Sequence, residues 1–179
     1  MAVRETDAQK LVRMTEIERE LWAQGHVIAG MDEVGRGPLA GPVVTACVSI
    51  PKDKLILGVD DSKKLSEKKR EAIFDQLREA ADYCEVCFMG PEVIDEINIL
   101  NATKRAMETC GAGFHGTFLV DAVTGLHLPG EIRPIIHGDA LSYMIGAASI
   151  IAKVTRDRYM VEQSSAILAV FDDTPGGTK

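Results

Sequence analysis

Aromatic residues are scarce, 5% of 179 residues with a single tryptophan, and no part of the chain stays apolar for long. The longest apolar-leaning run, Ala140 to Ala152, falls short of the ~20 residues that a membrane helix needs and is diluted by small residues, so it reads as a buried helix. Met1 to Lys10 is mostly charged or polar and holds no apolar core of a signal peptide, which argues against a secretory leader. Cysteine is sparse too. Cys47, Cys84, Cys87 and Cys110, without an export signal, favour reduced thiols and a cytoplasmic location. Cys84-x-x-Cys87 has neither the second pair nor the neighbouring histidine of a zinc site, so packed strand residues are the simpler account. An excess of base is also missing. Twenty Lys and Arg against 27 Asp and Glu give a net charge of −7, which excludes a generally basic surface for coating nucleic acid and leaves only a local patch. No internal repeat is visible.

What is present is the composition of one folded domain, with 46% apolar and 26% charged residues. Leu11, Met14, Ile17, Glu18, Leu21 and Trp22 recur at helical intervals and predict an amphipathic helix over Thr6 to Gln24 that stops near Gly25. Val27–Met31 and Pro42–Ile50 read as strands around a glycine-rich turn. Ser66 suits the N-cap of a helix carrying Ile73, Phe74, Leu77 and Ala81 on one face. A strand at 83–89 follows, then helical segments from Glu92 to about Cys110 with Pro91 at their start. Short apolar runs at Phe118–Val120 and Arg133–Ile136 precede a long helical pattern from Asp139 to about Gln163, and Phe171–Lys179 reads as a frayed tail. Two adjacent strands followed by strand and helix units predict an α/β fold, a mixed sheet with helices packed on it.

Acids recur where apolar runs end: Asp32-Glu33, Asp121, and Asp139 at a helix start. In an open α/β sheet such ends lie side by side, so residues distant in sequence can form one acidic cluster. Clustered carboxylates repel unless a cation sits among them, and hard oxygen ligands suit Mg²⁺ or Mn²⁺. Singly, each acid has a duller account: Asp139 as a helix cap, Asp121 as a turn residue, Asp32-Glu33 as solvated loop charges.

Gly35-Arg36-Gly37 follows the acidic pair, and glycines there let backbone N–H groups approach an anion or sugar. The spacing is not that of a P-loop, because Arg36 and Gly37 stand where Lys and Ser or Thr are required. It is not a dinucleotide fingerprint either, since Gly35, Gly37 and Gly41 miss the register and lead into a β-branched run. Further on, Lys63, Lys64, Lys68, Lys69 and Arg70 form a short basic run. It reads either as a solvated helix start or as a local grip for a phosphate backbone.

These blocks together resemble ribonuclease HII, of the ribonuclease H-like superfamily, from about Ile28 to Tyr159. The residues that carry the likeness are Gly30-Met31-Asp32-Glu33-Val34-Gly35-Arg36-Gly37-Pro38-Leu39-Ala40-Gly41-Pro42, Asp61-Ser62-Lys63-Lys64-Leu65-Ser66, and Ile94 through Thr103. Leu119-Val120-Asp121, His137-Gly138-Asp139 and Ala147 through Arg158 complete it. The resemblance implies a ribonuclease H-like mixed β-sheet flanked by helices, and an endonuclease that cuts RNA paired with DNA and single ribonucleotides within duplex DNA. It implies that Asp32, Glu33, Asp121 and Asp139 bind Mg²⁺ or Mn²⁺ and are catalytic, with products carrying 5′-phosphate and 3′-hydroxyl ends. Gly35, Arg36 and Gly37 match the loop that feels the 2′-hydroxyl, Ser62 and Lys63 match positions that contact the substrate backbone, and Asn98 and Asn101 are further candidates for that role.

On this reading residues 1–25 form an N-terminal helical appendage, 26–165 a ribonuclease H-like catalytic domain and 166–179 a short tail. The chain acts as a monomer on RNA–DNA hybrid or ribonucleotide-containing duplex, without a membrane. It departs from the family after about Val161, where a Gly-Tyr-Gly element with a ribose-packing tyrosine is expected; Tyr83, Tyr143 and Tyr159 all belong to other blocks. That departure keeps a second reading open, a non-catalytic homologue that binds hybrids. A phosphohydrolase of small nucleotides is a third. The four acids favour the enzyme, because an acidic cluster without a metal destabilises the fold that holds it.

Overall fold

The computed structural model of the protein describes residues 5–37 and 40–172. The expected N-terminal helix is two helices, α1 (Asp7–Met14) and α2 (Glu16–Ala23). The chain turns at Thr15, whose hydroxyl donates back to Leu11 O at 2.7 Å and competes with the regular ladder. Thr6 opens α1 with a capping box to Gln9.

Strands β1 (Ile28–Val34) and β2 (Val43–Ser49) flank the glycine loop. A 3₁₀ turn at Ser62–Lys64 leads into α3 (Glu67–Ala80), capped by Ser66 and burying Ile73, Phe74, Leu77 and Ala80. β3 (Tyr83–Met89), α4 (Pro91–Ile97) and α5 (Ile99–Gly111) follow, then β4 (Thr117–Asp121) and β5 (Glu131–Ile135). The helical pattern expected from Asp139 is broken as well, into α6 (Gly138–Leu141) and α7 (Tyr143–Asp172), with extended Ser142 between them. α7 runs past Gln163 to Asp172; of the stretch read as a tail, residues 173–179 lie outside the described residues.

The sheet order is β3-β2-β1-β4-β5. β1 runs antiparallel to β2 and parallel to β4; β4 is parallel to β5, and β2 antiparallel to β3. This is the mixed sheet expected. Side chains alternate across it, so each strand feeds two cores. Ile28, Ala46, Val48 and Leu119 pack on one face with α7, α3 and the N-terminal helices. Ala29, Met31, Cys47, Phe118 and Val120 pack on the other with Met107 and Cys110 of α5. Cys84 joins the first core and Cys87 the second, so the two thiols point to opposite faces and cannot share a metal ion. All four cysteines are free.

One glycine lets a helix lie against the strand that carries the site. A Cβ on Gly30 would stand 2.1 Å from the carbonyl carbon of Met144, so the first turn of α7 lies directly on β1. That contact places the start of α7, and the short helix before it, over the end of β1. Among the described residues no helix is long and apolar enough to cross a membrane.

Candidate functional site

Parity along β1 decides which acids meet. Ile28 and Gly30 face α7, and Asp32 falls on the same side two residues later; Glu33 falls on the side of Ala29 and Met31, opposite Thr45 of β2. On the parallel neighbour β4, Leu119 faces α7 and Asp121 follows it in phase. Asp139, in the first turn of α6, arrives from above the same strand ends. One carboxylate oxygen from each of Asp32, Asp121 and Asp139 lies within 4.8 Å of the other two. Asp32 and Asp139 are each only 6% exposed.

Local hydrogen bonds aim these groups. Asp32 Oδ1 accepts from the Glu33 N–H at 2.8 Å, and Asp121 Oδ1 accepts from the Gly138 N–H at 2.9 Å, tying the end of β4 to the start of α6. Left-handed Ala122 follows Asp121, and left-handed His137 caps α6, with φ of 52° and 57°. Each non-glycine residue held there costs on the order of 1 kcal/mol, so the surrounding fold enforces the turns that present both acids.

The electrostatics are those of like charges packed together with burial. Burial pushes the Asp32 carboxyl well above the ordinary aspartate range, and the charges of Glu33 and Asp121 push it further. Asp139 is raised by burial, then by Asp61 and Asp121, while Lys63 opposes the rise. Glu33 is raised by burial against the pull of Arg36. Three converging carboxylates, two of them buried, fit a hard divalent cation. Glu33 stands beside this group and not in it: its Oε1 accepts from Arg36 Nη1 at 3.2 Å, and its Oε2 is buried without a partner, an oxygen that a cation would satisfy.

The remaining predicted residues fall around this centre unevenly. Lys63 is 81% exposed along its side chain, yet its Nζ stands 3.7 Å from Asp139 Oδ2. Ser62 turns inward, buried, with its hydroxyl accepting from Ser149 Oγ at 2.8 Å; of the pair only Lys63 offers its end group to solvent. The basic run is partly spent inside the protein. Arg70 donates to Ser62 O and Leu65 O, and Lys69 lies 3.7 Å from Asp7. Gly35 is buried with φ +102°, and a Cβ there would meet Pro42 O at 2.5 Å; Arg36 and Gly37 are exposed. Asn98, with φ 66°, caps α5 by accepting from the Asn101 N–H.

Two contributors escaped the sequence reading. Arg156 of α7 is buried and donates to Pro42 O at 3.0 Å and Ala40 O at 2.9 Å, clamping the far end of the glycine loop. Asp61 adds its charge to the cluster and raises Asp139. Both sit in quoted blocks, but nothing in their spacing names partners about a hundred residues away.

Comparison with known proteins places this geometry. The ribonuclease HII family profile matches residues 29–178, beyond the Ile28–Tyr159 span of the resemblance. The ribonuclease HII of Bacillus mycoides (strain KBAB4) is 52% identical over 162 residues, covering 87% of this chain and 62% of the relative. That of Enterococcus faecalis (strain ATCC 700802 / V583) is 48% identical over 162 residues, covering 89% and 64%. The chain thus spans somewhat less than two thirds of the length of these relatives. Among solved structures, the ribonuclease H2 of Pyrococcus horikoshii OT3 superposes with a TM-score of 0.67 at 29% identity, over 77% of this chain and 75% of that one. Ribonuclease HII from Archaeoglobus fulgidus, solved in a complex with PCNA, gives 0.60 at 25% identity over 78% and 76%. The mixed sheet, the acids at its parallel strand ends and the match over most of the sequence lead to one assignment: the chain belongs to the ribonuclease HII family.

Proposed function

We propose that this chain is a metal-dependent endoribonuclease that hydrolyses the RNA strand of RNA–DNA hybrids and cuts at single ribonucleotides embedded in duplex DNA. The observation that carries the reading is the convergence of Asp32, Asp121 and Asp139 within 4.8 Å in a member of this family. These three residues would hold Mg²⁺ or Mn²⁺, with Glu33 completing the set through its unpartnered oxygen. When bound, such ions activate a water and neutralise charge on the scissile phosphate and the leaving 3′ oxygen, giving 5′-phosphate and 3′-hydroxyl ends.

The chain's own groups do the rest. Burial pushes the Asp32 and Asp139 carboxyls away from their charged form, and a divalent cation would restore it. Lys63 stands at the rim, where its ammonium both balances Asp139 and reaches a backbone phosphate. Ser62, fixed to Ser149, holds Lys63 in place. The Gly35-Arg36-Gly37 loop brings main-chain N–H groups to the ribose, where the 2′-hydroxyl separates RNA from DNA. Arg156 sets that loop's position from below. We place this action in the cytoplasm, by a monomer.

The test is cleavage of a labelled DNA duplex containing one ribonucleotide, beside an all-DNA control, in Mg²⁺ and separately in Mn²⁺. A cut at the ribonucleotide that vanishes with chelator supports the reading. Folded protein that binds the duplex in a salt-sensitive way, yet cuts in neither metal, would replace it with hybrid binding alone.

A further inference from the structure

We propose that the two N-terminal helices brace the turn that carries Asp139, and that Glu18 is the positioning residue through which they do so. The proposal rests on the reading of Asp139 as a metal ligand.

Glu18 lies on the stripe of α2 that faces the core and is fully buried. Its Oε1 accepts from Ser142 Oγ at 2.6 Å and from the Met144 N–H at 3.0 Å, while Ser142 Oγ accepts from the Ile145 N–H at 3.2 Å. The opening N–H groups of a helix have no partner within it, and a carboxylate there also meets the positive end of the helix dipole. Glu18 therefore fixes where α7 begins. Ser142 is the hinge between α7 and α6, so the same bonds fix the short helix that presents Asp139 three residues earlier.

Two further side chains of this pair reach the same neighbourhood. Arg13 Nη1 donates to Ala140 O, next to Asp139, at 3.0 Å. Lys10 Nζ lies 2.6 Å from Asp60 Oδ2, and Asp60 Oδ1 accepts from the N–H of Asp61, whose charge acts on Asp139. Residues 10, 13 and 18 thus grip three segments that border one ligand. Glu18 Oε2 has no partner where it lies. A carboxylate left half satisfied in a core is a poor packing choice against leucine or methionine, and what it supplies is placement of the hinge.

The experiment compares Glu18→Ala, Glu18→Gln and Leu21→Ala in the full chain, by calorimetric titration with Mn²⁺ alone and by thermal melting. Glu18→Ala is expected to weaken Mn²⁺ binding on the order of tenfold, the usual effect of removing a group that orients a ligand. Glu18→Gln, which keeps an acceptor oxygen, is expected to recover most of that loss. Leu21→Ala empties a fully buried site on the same helix and lowers the melting temperature at least as much, with Mn²⁺ affinity unchanged. Wild-type affinity in Glu18→Ala, or an equal loss in Leu21→Ala, overturns the brace while leaving the metal reading intact. A wild-type chain that takes up no Mn²⁺ removes the metal reading and the brace together. Should Glu18→Ala fail to fold, Arg13→Ala tests the same turn from its exposed side, and Mn²⁺ affinity equal to wild type there overturns the proposal.

Discussion

Asp121→Asn should make the metal-free protein more stable while removing metal-dependent activity. The substitution preserves shape, and the new amide oxygen can still accept from the Gly138 N–H. What it removes is a charge. The three oxygens lie within 4.8 Å of one another, and at that outer limit two full charges at an effective dielectric of about 20 repel by about 3.5 kcal/mol. Partial protonation of Asp32 already relieves some of this, so the expected gain is about 1–2 kcal/mol, a rise of roughly 2–8 °C in melting temperature for a chain of this size. The sign of the pH dependence follows from Asp32. Its folded pKa is raised by burial first and then by Glu33 and Asp121, so the folded chain keeps a proton that the unfolded chain has released. That contribution is full below the ordinary value of 3.8 and is lost as pH rises through the raised folded value. Removing the Asp121 charge lowers that folded value and flattens the loss. Thermal melts in chelator from pH 4 to 8 should therefore diverge, the variant leading most at the alkaline end. Saturating Mg²⁺ should reverse the order, since ligand at 100 times its Kd adds about 2.7 kcal/mol to the chain that binds it. A variant that melts at or below the wild type in chelator at pH 8 would refute the claim that these carboxylates repel in the folded state.

Gly30→Ala should cost about 3 kcal/mol or more and leave little folded protein by circular dichroism, because the new methyl would meet the Met144 and Ile145 backbone within 2.4 Å. Tyr143→Phe removes a hydroxyl that accepts from the Ile56 N–H at 2.7 Å and donates to Ile56 O; urea denaturation should show a loss of about 1–3 kcal/mol. Arg156→Lys cannot serve both loop carbonyls in the same geometry, so fluorescence anisotropy should show affinity for a ribonucleotide-containing duplex falling more than affinity for all-DNA duplex.

The strands were legible because an apolar run stopped by an acid is a local signal, and Asp32, Asp121 and Asp139 could be named from it. Which of the four acids converge was not, because Asp32 and Glu33 are neighbours in sequence and part only through the two-residue alternation of β1. The breaks at Thr15 and Ser142 were hidden for another reason: neither falls on a Gly or Pro, and Ser142 finds its partner in Glu18, 124 residues away. Glu18 itself looked like one polar member of an apolar stripe. The inward turn of Ser62 depends on Ser149, 87 residues away, and no local pattern predicts such a partner.

The pairing of β1 with β4 has a consequence for the growing chain. β1, β2 and β3 can assemble as soon as residue 89 is free, but β1 keeps an unpaired edge until β4 arrives some thirty residues later. Until then that edge is a row of open backbone groups, the kind of surface that sticks to other unfinished chains. The same delay keeps Asp32 apart from Asp121 and Asp139, so a chain interrupted before β4 has no acidic centre at all. The three carboxylates thus meet only once the parallel half of the sheet has formed.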